Sequence, residues 1–351
     1  MRRIREQVAF TWMQSGPRAA VAALMLACMA APPASVLAQS RLDRRAEDAG
    51  RREAEALLTV ADAAMAGRTS SDFPLRWSND FFKAQSGTFV PFTVTFDRGS
   101  VRAAKALMYV RAARRTKVSA PPRPDVRYPF DLIFPVELSG PPDQPLRISR
   151  GFAVAPGEYD IYVALRERAE DPEERQPRLK TAVLKQPLTV PDFWTGELTT
   201  STVMLADRID DVRESVVGDD VMDRPYVIGA HEIHRAVDPV FARSRELIVV
   251  FLIYNPAVTA ERNFDIEVDY NLFRREQGGT GERYVTHTAP QRFKPASMTG
   301  GFDPVSGPIL AGQGILLSSF QDGEYRLGIT VTDLTSRKSL SREVTFTVAG
   351  S

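Results

Sequence analysis

The chain is poor in the side chains that usually carry chemistry. Its 351 residues hold a single cysteine, Cys28, and three histidines, His231, His234 and His287. One thiol closes no internal disulfide. A chain cleaved after Ala38 has no thiol at all, which excludes cysteine nucleophiles, cysteine-ligated zinc and iron–sulfur clusters for that form. The N-terminal apolar stretch, residues 19–31, is too short for a comfortable membrane span. Neither sign of charge dominates. The formal net charge is +1, and setting aside residues 1–38, with four arginines and one glutamate, leaves 41 basic and 43 acidic residues. That balance gives no electrostatic reason to bind nucleic acid or an anionic membrane.

Recognisable site motifs are equally scarce. His231-Glu232-Ile233-His234 is not H-E-x-x-H. In an extended segment, positions three apart face opposite sides, so the tetrapeptide alone makes a poor zinc site. Residues 207–223 carry Asp210, Asp211, Asp219, Asp220 and Asp223 without the spacing of a calcium loop, and read as a solvated acidic connection. Gly278-Gly279-Thr280-Gly281 lacks the Lys-Ser/Thr ending and following helix of a phosphate loop. No G-x-S-x-G elbow occurs. No metal and no cofactor is expected. A Ser-His-Asp set or a carboxylate pair assembled from distant residues stays open. Trp77 and Trp194 could each stack on a sugar, although each sits beside phenylalanines, which favours buried packing.

What is present is β texture and an N-terminal leader. Arginines open the chain, the apolar stretch follows, and Val36 and Ala38 are small enough for the −3 and −1 positions of a signal-peptidase site. Residues 1–38 read as a signal peptide, giving a periplasmic or secreted protein with no transmembrane span in the mature chain. Met25-Leu26-Ala27-Cys28 leaves a lipoprotein anchored at Cys28 as the alternative. Residues 40–67 read as one helix, with Ala54, Leu57, Leu58, Ala61 and Met65 on one face, the second half docking on the β structure that follows.

From residue 71 the pattern shifts to short strands with period-two alternation, and 25 prolines and 22 glycines supply the turns. Residues 120–124 and 166–178 read as surface connections. Strands end near residue 193, a linker runs over 194–224, and a second strand-rich region covers 225–351. Within it, residues 300–314 read as a long connection.

Gly157-Glu158-Tyr159 and Gly323-Glu324-Tyr325, 166 residues apart, each lead into an alternating strand. A tyrosine opening a strand this way resembles the tyrosine corner of immunoglobulin-type sandwiches, with Ile161 and Leu327 where those domains carry a cysteine. Tyr159 and Tyr325 therefore read as fold-defining, each hydroxyl bonded to nearby backbone. The fold class expected is all-β, two tandem Ig-like β-sandwich domains over 71–193 and 225–351, preceded by a signal peptide and one short helix.

Larger pieces also match. Trp77-Ser78-Asn79-Asp80-Phe81, Phe89-Val90-Pro91-Phe92-Thr93-Val94, the segment 184–194, Gly196-Glu197-Leu198-Thr199-Thr200-Ser201, Tyr254-Asn255-Pro256 and Asp269-Tyr270-Asn271 resemble a group of uncharacterised exported bacterial proteins. The C-terminal part is similar to the β-sandwich that ends some VWFA-related and GWxTD-type proteins, although neither signature motif occurs here. The resemblance implies export and a β-sandwich build and brings no catalytic residues with it. Together these readings give a non-enzymatic binding or structural protein whose partner is another envelope or secreted protein. The alternative is a hydrolase or carbohydrate-active protein with a site between the two domains.

Overall fold

The apolar alternation of the sequence becomes four antiparallel-dominated sheets in the computed structural model, which describes residues 34–68, 70–115, 127–141, 143–168, 178–213, 216, 218, 220–276, 281–298 and 302–350, with side chains from Gly50 onward. The expected signal peptide and Cys28 lie outside the described side chains, as do 120–124, most of 166–178, Asp219 and Gly278 to Thr280. Residues Met1–Ala49 and Gly50–Ser351 form two units. No described helix is long and apolar enough to cross a membrane.

Helix α1 spans Ala34–Met65. The first strands are β1 (Arg76–Asn79), β2 (Phe82–Lys83), β3 (Thr88–Phe96), β4 (Lys105–Arg114), β5 (Phe130–Glu137), β6 (Leu146–Val154), β7 (Gly157–Glu167) and β8 (Thr181–Val190). One sheet places β3 between β6 on one side and β1 and β2 on the other; the second runs β5-β4-β7-β8. Their inner faces share one core, including Phe92, Phe152, Met108 and Ile161. Period two explains the faces: alternate residues of each strand point inward, where burial of a Phe or Ile contributes about 2 kcal/mol.

The outer face of the second sheet is apolar as well, because α1 covers it. Leu57 and Ala61 pack on Tyr109 and Ala164. Arg111, buried on that face, fixes the helix through Asp62 at 2.6 Å and also donates to the Tyr109 hydroxyl at 2.6 Å. Coverage on both faces accounts for the nearly continuous apolar run of β4.

The chain continues with β9 (Thr199–Thr200), β10 (Met204–Asp211), helix α2 (Asp220–Asp223), β11 (Val227–Ile228), β12 (His231–Arg235), β13 (Val240–Ala242), β14 (Glu246–Tyr254), β15 (Ile266–Arg275), β16 (Glu282–His287), β17 (Gln291–Phe293), β18 (Ile309–Leu316), β19 (Gly323–Asp333) and β20 (Lys338–Ala349). The third sheet runs β11-β12-β10-β14-β18, with β9 also on β14. The fourth runs β13-β20-β19-β15-β16, with β17 also on β15. They enclose a second core that includes Phe251, Tyr270, Leu327 and Phe346.

Strands β9 and β10 fall inside the stretch 194–224, and both hydrogen-bond to β14. One sequence expectation changes here. The stretch 300–314, read as a connection, ends inside a true strand. Ile309 to Leu316 pair residue by residue with β14, without a register shift. Gly312 and Gly314 weaken the strand signal, but Ile309, Ala311 and Ile315 still alternate into the core.

The two sheet pairs repeat one strand order. β3-β6 and β5-β4-β7-β8 correspond to β14-β18 and β16-β15-β19-β20. The repeated triplets open β7 and β19, which are each 11 residues long. Gly157 and Gly323 stand at φ 146° and 147°, a backbone region that a side chain would strain.

Candidate functional site

Two features outside the cores have the makings of a site. One is a cleft where the two sheet pairs meet, and the other is the free edge of β18.

The junction is apolar at its centre. Phe82 from the first sheet meets Met204, Ala206, Val250, Leu252 and Tyr254 from the third, with Phe193 and Tyr226 from the connecting segments. At its margin sits a buried ionic cluster. Asp80 is 0% exposed, and its Oδ2 accepts from Arg235 Nε at 2.7 Å and from the Tyr226 hydroxyl at 3.0 Å. Burial pushes the Asp80 carboxyl above the usual carboxylate range, against the opposing attraction of Arg235. Burial likewise raises the Tyr226 phenol, so its hydroxyl stays a donor.

Beside this cluster opens a cavity of about 350 Å³ lined in part by Thr93, Ser149, Asp223, Glu232 and His234. Its charged groups are largely engaged with one another. Arg150 holds Asp223 at 3.0 Å, Arg224 holds Glu232 at 2.7 Å, and His234 Nε2 meets Asp210 Oδ2 at 2.8 Å. Asp210 also accepts from Arg208 at 3.0 Å; that bond and the one to His234 hold its carboxyl below the usual range. Such pairing ties β12 to β10 and α2 to β6.

The residues singled out in the sequence separate cleanly. His231 and His234 sit in β12, each bonded to a different aspartate of β10, with His231 Nδ1 at 2.9 Å from Asp211. His287 is remote from both in sequence and bonds the Tyr284 hydroxyl on the edge strand β16. Among the described residues no group of histidines, cysteines or carboxylates is arranged to hold a metal. Trp77 stacks on Phe92 at 4.4 Å. Trp194 departs from the buried packing expected: it is 53% exposed, Lys83 Nζ lies 4.3 Å over its ring, and its Nε1 donates to the Gly87 carbonyl. The neighbouring phenylalanine, Phe193, takes the buried place instead.

Tyr159 and Tyr325 are fully buried rings at the starts of β7 and β19. Their hydroxyls donate to the carbonyls of Ala155 at 2.8 Å and Gln321 at 2.7 Å, four residues upstream in each case. Arg114 and Arg274, cross-strand from the two tyrosines, each donate to the carbonyl that precedes the glycine, Pro156 and Asp322.

Strand β18 forms one edge of the third sheet. On its outward side Leu310, Gly312, Gly314 and Leu316 are exposed, with Leu316 at 70%. The carbonyls of Gly312 and Gly314 accept from the side-chain amides of Gln291 at 2.5 Å and Gln313 at 2.8 Å. Sequence reasoning misses this feature because the stretch reads as a connection. The available signal was an uncharged apolar run, Ile309-Leu310-Ala311-Gly312-Gln313-Gly314-Ile315-Leu316.

No family model matches the chain, and no curated protein matches it. Among solved structures, the chain is similar to the crystal structure of red sea bream transglutaminase at 14% identity and a TM-score of 0.21, over 82% of this chain and 33% of that one. The chain thus spans about a third of the length of that protein. A TM-score this low transfers neither fold nor activity. The expectation of a non-enzymatic protein is nonetheless corrected: one of the solved structures the chain is similar to is a transglutaminase, and a shortage of sequence motifs does not exclude catalysis.

Proposed function

We propose that this chain is an exported bacterial protein of two tandem immunoglobulin-like domains, near 71–193 and 225–351, that serves as a binding or structural protein through protein contacts in the cell envelope. The immunoglobulin-like reading is supported by the repeated strand order and by two tyrosine hydroxyls that each return to a backbone carbonyl at the start of a corresponding strand. Export to the periplasm or beyond rests on the leader-like residues 1–38.

The observation that carries the binding role is the free edge of β18, where exposed leucines flank two glycine carbonyls that accept only from glutamine side chains among the described side-chain bonds. An uncovered strand edge recruits another strand through main-chain hydrogen bonds, with side chains on alternate positions giving selectivity. A photo-crosslinking residue placed at Leu316 in growing cells is expected to capture a protein, whereas the same residue at the exposed turn position Arg337 captures none. Equal capture at both positions, or none at either, would remove the reading.

A further inference from the structure

The third sheet leaves β18 bare in a protein that blunts its other edges. Among the described strands, β5 carries Asp131, Pro135 and Glu137, and β8 carries Lys185 and Pro187. β6 carries Arg147 and Arg150, and α2 lies against it with Asp223 on Arg150. β16 holds Glu282 and Arg283, and its register on β15 is broken by a bulge. β20, beyond the short β13, presents Lys338, Arg342 and Glu343. β1, β2, β11, β13 and β17 are no more than four residues long. Charge, proline, bulges and brevity are the devices by which sheets avoid pairing with strangers. β18 has none of them: eight residues without charge or proline, in unbroken register with β14.

We propose that this edge pairs antiparallel with β18 of a second copy of the chain, joining the two third sheets into one. The inference rests on the reading of β18 as a binding edge and names its occupant. The strand is self-complementary. Centring the two-fold axis on Gln313 sets Leu310 opposite the second copy's Leu316, Gly312 opposite its Gly314, and Gln313 opposite itself. Cross-strand partners in such a pair share a face, so both exposed leucines of each copy become covered by leucines of the other. On the opposite face Ala311 meets the second Ile315. Two identical strands repel if they carry charge, and this one carries none. The Gly312 and Gly314 carbonyls already accept from side-chain amides, and these acceptors become available when Gln291 and Gln313 turn aside. Neither glycine puts a side chain on this face; an added Cβ would touch the Val249 carbonyl oxygen at 3.7 Å at Gly312 and run into the Glu246 side chain at Gly314.

The register is testable in the full chain with Cys28→Ser as background. Gln313→Cys should oxidise rapidly to a covalent dimer, since residues directly opposite on paired strands stand within disulfide reach. Leu316→Cys should not, because in this register it lies about 20 Å along the strands from its own counterpart. By sedimentation, the unmodified chain should be dimeric and Leu316→Lys monomeric, with unchanged circular dichroism. A monomeric parent across the micromolar range, or Gln313→Cys oxidising no faster than Leu316→Cys, overturns the proposal. If the parent is monomeric while the Leu316 photo-crosslinker captures a different protein in cells, the binding edge stands and the second copy is excluded as its occupant.

Discussion

Tyr159 and Tyr325 show how little chemistry a repeated motif needs in order to be indispensable. Each ring is buried in its core, and each hydroxyl meets one carbonyl four residues back. Replacing either by Phe removes a hydrogen bond and leaves the carbonyl short of a donor, while the apolar ring is kept. Tyr159→Phe and Tyr325→Phe should each lower the unfolding free energy by about 1 kcal/mol in denaturant titrations, with unchanged m values. Loss of neither stability nor cooperativity in both variants would deny the tyrosines their structural role. These positions were legible in the sequence because Gly-Glu-Tyr recurs and the following strand alternates. The ionic trio Asp80, Arg235 and Tyr226 was not legible: its members come from distant segments, and each looks like an ordinary surface residue until the fold buries Asp80 and Tyr226 beside Arg235.

At the scale of the element, β7 and β19 are equivalent beyond their first three residues. Both end in a buried carboxylate at the eleventh position, Glu167 and Asp333. Glu167 accepts from the backbone N–H of Arg102, Ala103 and Lys180; Asp333 accepts from those of Ala257, Thr335 and Ser336. In each sheet pair the carboxylate clamps the connection between corresponding strands, β3 to β4 and β14 to β15. Charge-assisted bonds of this kind outweigh neutral ones, so Glu167→Gln or Asp333→Asn should cost about 2 kcal/mol. The check is hydrogen exchange, which should accelerate at Ala103 in the first variant and at Ala257 in the second. No change at those amides would show that the clamps are incidental. Alternation made the strands themselves readable, but a polar residue closing a strand looks like the start of a turn, so the clamps were invisible. β18 escaped for the opposite reason: two glycines interrupted its pattern, and pairing with β14 supplied the order that local propensity lacked.

On the scale of the whole molecule, the junction decides whether the two sheet pairs unfold together. Its apolar contacts favour a single transition, and the Asp80 cluster fixes which surfaces meet. Arg235→Ala would leave Asp80 buried without its cationic partner. Breaking a buried pair from one side costs about 3–5 kcal/mol, so the junction should loosen and the single transition should split in two at neutral pH. The sign of the pH dependence follows from Asp80. Burial raises its carboxyl in the folded protein, so the folded state holds this proton after the unfolded chain has released it. The group's contribution to stability therefore falls as pH rises from about 4 through the folded value. Without Arg235 the folded value moves higher still, because the attraction that opposed burial is gone. The deficit of Arg235→Ala against the parent should thus open as pH rises toward neutrality and narrow on acidification, when Asp80 takes up its proton and no charge is stranded. Calorimetry of the two proteins across that range measures the gap directly. A deficit independent of pH would mean that Arg235 acts through packing alone, and that the buried carboxylate does not govern the junction.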